Sequence, residues 1–118
     1  MTLRILHNPR CSKSRQTLAL IRDAGIEPDI VDYLADPPGA DEIVALAGQL
    51  GIAVNGLLRR GEDEFRQATD LPALQDDSAL ADWLSRHPRV IERPIVIDST
   101  SGKAVLGRPP QNVAELLP

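Results

Sequence analysis

The first 33 residues follow the pattern of a strand, a tight loop, a helix and a second strand, and this order constrains the fold most. Leu3 to His7 are mostly apolar and run into Asn8-Pro9, as a buried strand ending in a loop does. Helical spacing of apolar residues begins at Ser12 or one residue earlier and stops at Gly25. Ile26 to Tyr33 then predict a second strand. A β-α-β unit of this length predicts parallel strands joined by a right-handed connection.

The middle of the chain predicts a helical insert at about residues 40–88. A turn at Asp36-Pro37-Pro38-Gly39 opens it, and the helix that follows has Asp41 as its expected N-cap. A later helix is predicted between its expected N-caps, Asp76 or Asp77, and the stop at His87-Pro88. The polar stretch between the two helices predicts only short helices or turns.

The last third of the chain returns to strands. Pro94 to Asp98 and Lys103 to Leu106 flank Ser99-Thr100-Ser101-Gly102, which predicts an antiparallel hairpin. A short helix is expected at about Pro110 to Leu116. We therefore expect one α/β domain over residues 1–118, in the order β-α-β, helical insert, β-β-α, with a mixed four-stranded sheet.

Composition excludes several kinds of chemistry. The chain contains one Cys and two His, so an internal disulfide is impossible, and neither a metal centre nor a bound cofactor is expected. The sequence shows no secretory signal pattern and no apolar run of the roughly 20 residues that span a membrane, which predicts a cytoplasmic protein. A net charge of −4 and 3% aromatic residues argue against nucleic-acid binding.

Cys11 lies where the first strand passes into the first helix, and this position favours the thiolate. Free backbone N–H groups and the positive end of the helix dipole face such a sulfur. Arg10, Lys13 and Arg15 add positive charge, whereas residues 16–58 contain one basic and seven acidic residues. A lone cysteine is more often a buried apolar residue, but these surroundings predict a reactive nucleophile beside an oxyanion-binding loop.

The segment HNPRCSKSR, followed by TLALIRDAG, resembles the active-site segment of the glutaredoxin-coupled arsenate reductases, the ArsC family. Later segments match the family's landmarks in order and spacing: LLRR at 57–60, IERPIV at 91–96 and GRP at 107–109. The resemblance covers nearly the whole chain and is nearest to the family's short branch. It implies a thioredoxin-like fold, which the family shares with the Spx regulators.

The resemblance implies that Cys11 is the nucleophile and that Arg59, Arg93 and Arg108 hold the substrate oxyanion. Arginine suits a tetrahedral dianion because its guanidinium group stays charged and donates hydrogen bonds in a fixed fork. Because Arg60 directly follows Arg59, either residue could take the first of these positions.

Five residues are expected to support the site: His7, Asn8, Ser14, Arg15 and Pro94. His7 would tune the surroundings of the thiolate, Ser14 would donate a hydrogen bond to it, and Asn8 would shape the loop. Pro94 opens the third strand, where the resemblance implies a cis peptide bond beside the cysteine.

The activity implied by the resemblance is the reduction of arsenate to arsenite. The Cys11 thiolate would attack arsenate, glutathione would displace the adduct as arsenic is reduced, and glutaredoxin would resolve the mixed disulfide. Two alternatives remain open. One is a general glutathione-linked thiol oxidoreductase that uses the same cysteine. The other is a non-catalytic Spx-like regulatory binding protein, although Ser14 stands where Spx regulators carry a second cysteine.

Overall fold

The computed structural model describes residues 2–118, which divide into two compact units. The first unit contains the residues up to Tyr33 together with Arg93–Pro118, and the second is Leu34–Glu92. The second unit covers the helical insert predicted at about 40–88. The expectation of a single domain over residues 1–118 stays a prediction.

A four-stranded sheet forms the centre of the first unit. Its strands are β1 (Leu3–His7), β2 (Asp29–Asp32), β3 (Ile95–Asp98) and β4 (Ala104–Leu106), and their spatial order is β2-β1-β3-β4. β1 pairs in parallel with β2, while β1 with β3 and β3 with β4 pair antiparallel. The α/β class and the mixed, thioredoxin-like sheet predicted from the sequence are confirmed.

The second strand is shorter than the predicted Ile26 to Tyr33. It forms an edge of the sheet, and Ile30 at its centre is 44% exposed. An edge strand is paired along one side only, so a run of strand-forming residues there can leave the sheet after a few pairs.

Helix α1 (Ser12–Asp23) links β1 to β2 and covers one face of the sheet. It is followed by Gly25 in the left-handed conformation at φ +82°, the stop that the sequence predicted. The C-terminal helix Pro110–Leu116 has the expected bounds but is a 3₁₀ helix, and it packs on α1. Together they bury one apolar cluster: Leu3, Ile5, Leu18, Ile21, Val96, Val105, Val113 and Leu116.

The second unit is helical. It contains α2 (Ala40–Leu50), α3 (Asp63–Arg66) and α4 (Asp77–Arg86), with 3₁₀ helices at Val54–Leu57 and Pro88–Val90. Helices α2 and α4 pack against each other. None of the helices within residues 2–118 is long and apolar enough to cross a membrane.

One helix cap differs from its prediction and another agrees. Asp41 is not the N-cap of α2, because Gly39 already has the extended backbone of a cap and the helix begins at Ala40. Asp41 lies in the first turn instead, where its carboxylate interacts with the helix dipole. At α4 the predicted cap is confirmed, since the Asp76 carboxylate accepts the Ala79 N–H at 3.1 Å.

We predict that Asp76→Ala lowers the free energy of unfolding by about 1 kcal/mol, because the cap acceptor is lost. Asp76→Asn keeps an acceptor and should stay close to the wild type. Urea denaturation followed by circular dichroism measures both variants. An equal loss of unfolding free energy in the two variants would show that the cap bond does not stabilise α4.

Candidate active site

Cys11 occupies the N-cap of α1, at the end of the loop that leaves β1. Its backbone is extended, at φ −92° and ψ 121°, and its N–H bonds to the Asn8 carbonyl at 3.0 Å. The Cys11 carbonyl accepts the Arg15 N–H at 3.0 Å, which starts the helix. The thiol therefore lies at the end of the helix where N–H groups lack partners within the helix.

The environment of the sulfur favours ionisation. Burial alone would raise the thiol pKa of the half-buried Cys11. Hydrogen bonds from the backbone N–H of Ser14, the guanidinium of Arg93 and the backbone N–H of Lys13 outweigh this effect, and the positive charge of Arg93 adds to them. The net result is a pKa of Cys11 below its ordinary value.

The Ser14 side chain has a different role from the one predicted. Its hydroxyl is fully buried, 2.6 Å from Nδ1 of His7, and it accepts the backbone N–H of Asn8 at 3.1 Å. The hydrogen bond that reaches the sulfur comes from the Ser14 main chain. The hydroxyl instead ties the loop to the end of β1.

His7 is held in its neutral form. Burial lowers its pKa most strongly; the carboxylate of Asp32 opposes this, and the positive charges of Arg22 and Arg15 add to the lowering. Nδ1 of the neutral imidazole shares a hydrogen bond with the Ser14 hydroxyl, and the imidazole tautomer sets which of the two donates. His7 therefore shapes the loop without adding a positive charge beside the thiol.

Two other predicted residues shape the same loop. The Asn8 carbonyl oxygen Oδ1 accepts the Arg10 N–H at 3.0 Å. Nη1 of Arg15 donates to the Pro9 carbonyl at 2.9 Å, so its exposed side chain lies against the loop. Both contacts stabilise the turn that presents Cys11.

Arg93 and Arg108 lie next to each other in the first unit. The Arg93–Pro94 peptide bond is cis, in agreement with the sequence resemblance, and Arg93 precedes β3. Nη1 of Arg108 donates to the Arg93 carbonyl at 3.1 Å. Because the Arg93 guanidinium also bonds to the Cys11 sulfur, these three predicted residues come together.

Gly107 was not predicted as a site residue, yet the loop that carries Arg108 depends on it. Its N–H bonds to the Pro94 carbonyl at 2.9 Å. A Cβ at this position would lie 2.6 Å from Oγ1 of Thr17 and 2.8 Å from Cγ of Pro94. Only glycine permits this approach, and its place directly before Arg108-Pro109 is the signal in the sequence. The Arg108–Pro109 bond, also cis, was not predicted.

Arg59 and Arg60 belong to the second unit. Nε of Arg59 lies 3.3 Å from Oε1 of Glu62, and its Nη1 lies 3.9 Å from Oε2 of Glu92. Arg60 is exposed. The assignment of either arginine to the substrate stays a prediction.

Within residues 2–118, no group of three or more His, Cys, Asp and Glu side chains could hold a metal ion. The first unit brings together one ionisable sulfur, a guanidinium bonded to it and backbone donors at a helix start. Such a group can attack an electrophilic centre while its donors bind the oxygen atoms of an anion.

Comparison with known proteins gives consistent matches. The ArsC family pattern matches residues 6–116. Arsenate reductase of Escherichia coli strain K12 is 40% identical over 114 residues, which are 97% of this chain and 79% of that protein. Arsenate reductase of Neisseria meningitidis serogroup B is 40% identical over 98% of this chain and 97% of its own. The solved arsenate reductase of Vibrio cholerae superposes with a TM-score of 0.87 at 40% identity, over 99% and 98% of the two chains.

We predict that the Cys11 thiol of the wild type is alkylated by iodoacetamide with a pH midpoint below the ~8.5 of a free cysteine. Arg93→Ala should move this midpoint upward, because it removes a hydrogen bond and a positive charge that favour the thiolate. The neutral reagent ensures that the rate reports the thiolate fraction.

Arg86→Ala, which removes an exposed arginine paired with Asp82, is the matched control and should keep the wild-type midpoint. A wild-type midpoint at or above ~8.5, or one that Arg93→Ala leaves in place, would contradict this account of the site.

Proposed function

This chain belongs to the ArsC family, and we propose that it reduces arsenate to arsenite, using glutathione and glutaredoxin as the external thiols. The observation that carries the proposal is the hydrogen bond between the Arg93 guanidinium and the sulfur of Cys11, which has a lowered pKa. It joins an activated nucleophile to a donor suited to an oxyanion.

In the first proposed step, the Cys11 thiolate attacks the arsenic atom of hydrogen arsenate. A sulfur–arsenic bond forms, the hydroxyl oxygen of hydrogen arsenate takes up one proton from solvent and leaves as water, and arsenic stays in the +5 state. Guanidinium and backbone N–H donors stabilise the charge on the oxygens that remain and on the one that departs. Arginine serves this purpose because it stays protonated throughout.

In the second step, the thiol of glutathione attacks the Cys11 sulfur. A disulfide forms between glutathione and Cys11, the sulfur–arsenic bond breaks, and its electron pair remains on arsenic, which is thereby reduced from +5 to +3 and leaves as arsenite. The proton of the attacking thiol passes to the departing arsenite. A thiol of glutaredoxin then exchanges with the mixed disulfide and returns Cys11 to its reduced form.

The presence of a single cysteine supports the use of external thiols in the second step. Cys11 is the one cysteine of the chain, so no second thiol of the same chain can resolve a disulfide on it. The reducing thiols must come from other molecules, as the proposed scheme requires. Arg108, which donates to the Arg93 carbonyl, is proposed as a second oxyanion ligand. Arg59 is proposed as a third from the sequence resemblance alone.

A coupled assay tests the proposal through arsenate-dependent oxidation of NADPH, with glutathione, glutaredoxin and glutathione reductase present. We expect wild-type turnover well above the Cys11→Ser background. Arg93→Ala should lower kcat/KM for arsenate by about 10²- to 10³-fold, as the loss of one oxyanion donor does. The control Arg86→Ala should match the wild type.

Wild-type turnover no faster than that of Cys11→Ser would refute the proposed reduction of arsenate. If the same preparation then reduced a glutathione mixed disulfide through Cys11, the general thiol oxidoreductase would be the correct assignment.

A further inference from the structure

A cleft with a volume of about 470 Å³ lies in the first unit, along the exposed side of α1. Pro9 and His7 line it at the end where β1 passes into the active-site loop. Leu18 and Ala19 form an apolar wall, and Arg15 lies nearer the start of the helix. The steps proposed above do not use this cleft.

The cleft begins one helical turn from the nucleophile. The Arg15 N–H bonds to the Cys11 carbonyl, so the two residues are separated by one turn on the same face of the helix. Leu18 and Arg22 continue that face at intervals of three and four residues. A molecule lying in the cleft therefore extends along α1 from within one helical turn of Cys11.

The charges of the cleft suit a ligand that carries carboxylates. Arg15 and Arg22 both line it, and the positive charges of both act on His7 at its inner end. Nη1 of Arg15 holds the side chain against the Pro9 carbonyl, and this bond uses one of the five guanidinium N–H groups. Arg22 forms a two-point ion pair with Glu27, which makes Arg15 the principal anion-binding group.

We propose that this cleft binds glutathione, with a carboxylate of the tripeptide on Arg15 and its peptide backbone against Leu18 and Ala19. Its thiol then faces the Cys11 end of the cleft, in position to attack the Cys11 sulfur as described above. Glutathione carries two carboxylates and one ammonium group, which suits a cleft lined by Arg15 and Asp23, with Arg22 already paired with Glu27. This inference rests on the proposed use of glutathione.

Two variants perturb the cleft in different ways. Arg15→Ala removes the anion-binding group, and Ala19→Phe fills the apolar wall at an exposed position without changing charge. Gln16→Phe, exposed on α1 but outside the lining of the cleft, is the matched control for bulk. Arg86→Ala is the matched control for the loss of an arginine.

We expect Arg15→Ala to raise KM for glutathione about tenfold, the effect of losing one charge-assisted hydrogen bond. Ala19→Phe should raise it by a similar factor, and Arg15→Lys should partly restore it. In Ala19→Phe, whose position plays no part in the active-site loop, KM for arsenate should stay within about twofold, since the effect is confined to the thiol substrate. Both controls should keep the wild-type KM for glutathione.

Binding is measured independently of turnover with S-methylglutathione, which has no free thiol. Titration followed by amide chemical shifts should move the signals of residues 15–23 in the wild type and the controls. About tenfold weaker binding is expected in Arg15→Ala and Ala19→Phe. Titration with inorganic phosphate should not reproduce this pattern.

Wild-type KM and wild-type binding in both cleft variants would overturn the cleft assignment and leave the use of glutathione intact. Equal perturbation by inorganic phosphate would also overturn it, because the cleft would then be a general anion site. Failure of the proposed function is distinguishable from both outcomes, since wild-type turnover would then not depend on glutathione at all.

Discussion

The balance of forces at the Cys11 sulfur is the constraint on which the rest of the site depends. Burial disfavours the charged thiolate, and hydrogen bonds from two backbone N–H groups and one guanidinium favour it more strongly. Two of these donors exist because α1 begins at Ser12 and leaves the N–H groups of its first turn without partners in the helix. Activation is therefore largely a property of the backbone, and Arg93 supplies the side-chain contribution.

The surrounding fold holds these donors in place. The Ser14 hydroxyl joins the loop to β1 through His7, so the start of the helix cannot shift without breaking buried hydrogen bonds. Gly107 allows the loop carrying Arg108 to approach Pro94 and Thr17 closely. The contact of Ser14 with His7 spans seven residues and that of Gly107 with Thr17 spans ninety, and each fixes the position of a group near the sulfur.

Patterns within short stretches of sequence predicted much of this arrangement. Apolar spacing predicted β1 and α1 and so placed Cys11 at a helix start, and Gly25 marked the end of that helix. The N-cap preference of aspartate predicted the role of Asp76 at the start of α4. Long-range relations were harder to predict. Whether the Ser14 hydroxyl bonds to the sulfur or to His7 depends on how a loop closes on a strand, which spacing does not encode.

The difference between local patterns and long-range contacts also explains why the length of β2 and the role of Gly107 were not predicted. β2 is shorter than predicted at both ends because it is an edge strand, and its place in the strand order is decided by residues near the other end of the chain. The close approach of Gly107 depends on a threonine ninety residues earlier in the sequence. Local patterns thus located the nucleophile and its helix, whereas tertiary packing determined the partners of the supporting side chains.

We propose that Cys11 is the residue at which arsenic and an external thiol exchange electrons. Intact-protein mass spectrometry tests it after the reduced protein has been mixed with arsenate and glutathione in the absence of glutaredoxin. We predict a species heavier by one glutathionyl group on Cys11, with one arsenite released per protein, and neither product when arsenate is omitted. Arsenite release without a glutathionyl group on Cys11, or no arsenite at all, would contradict it.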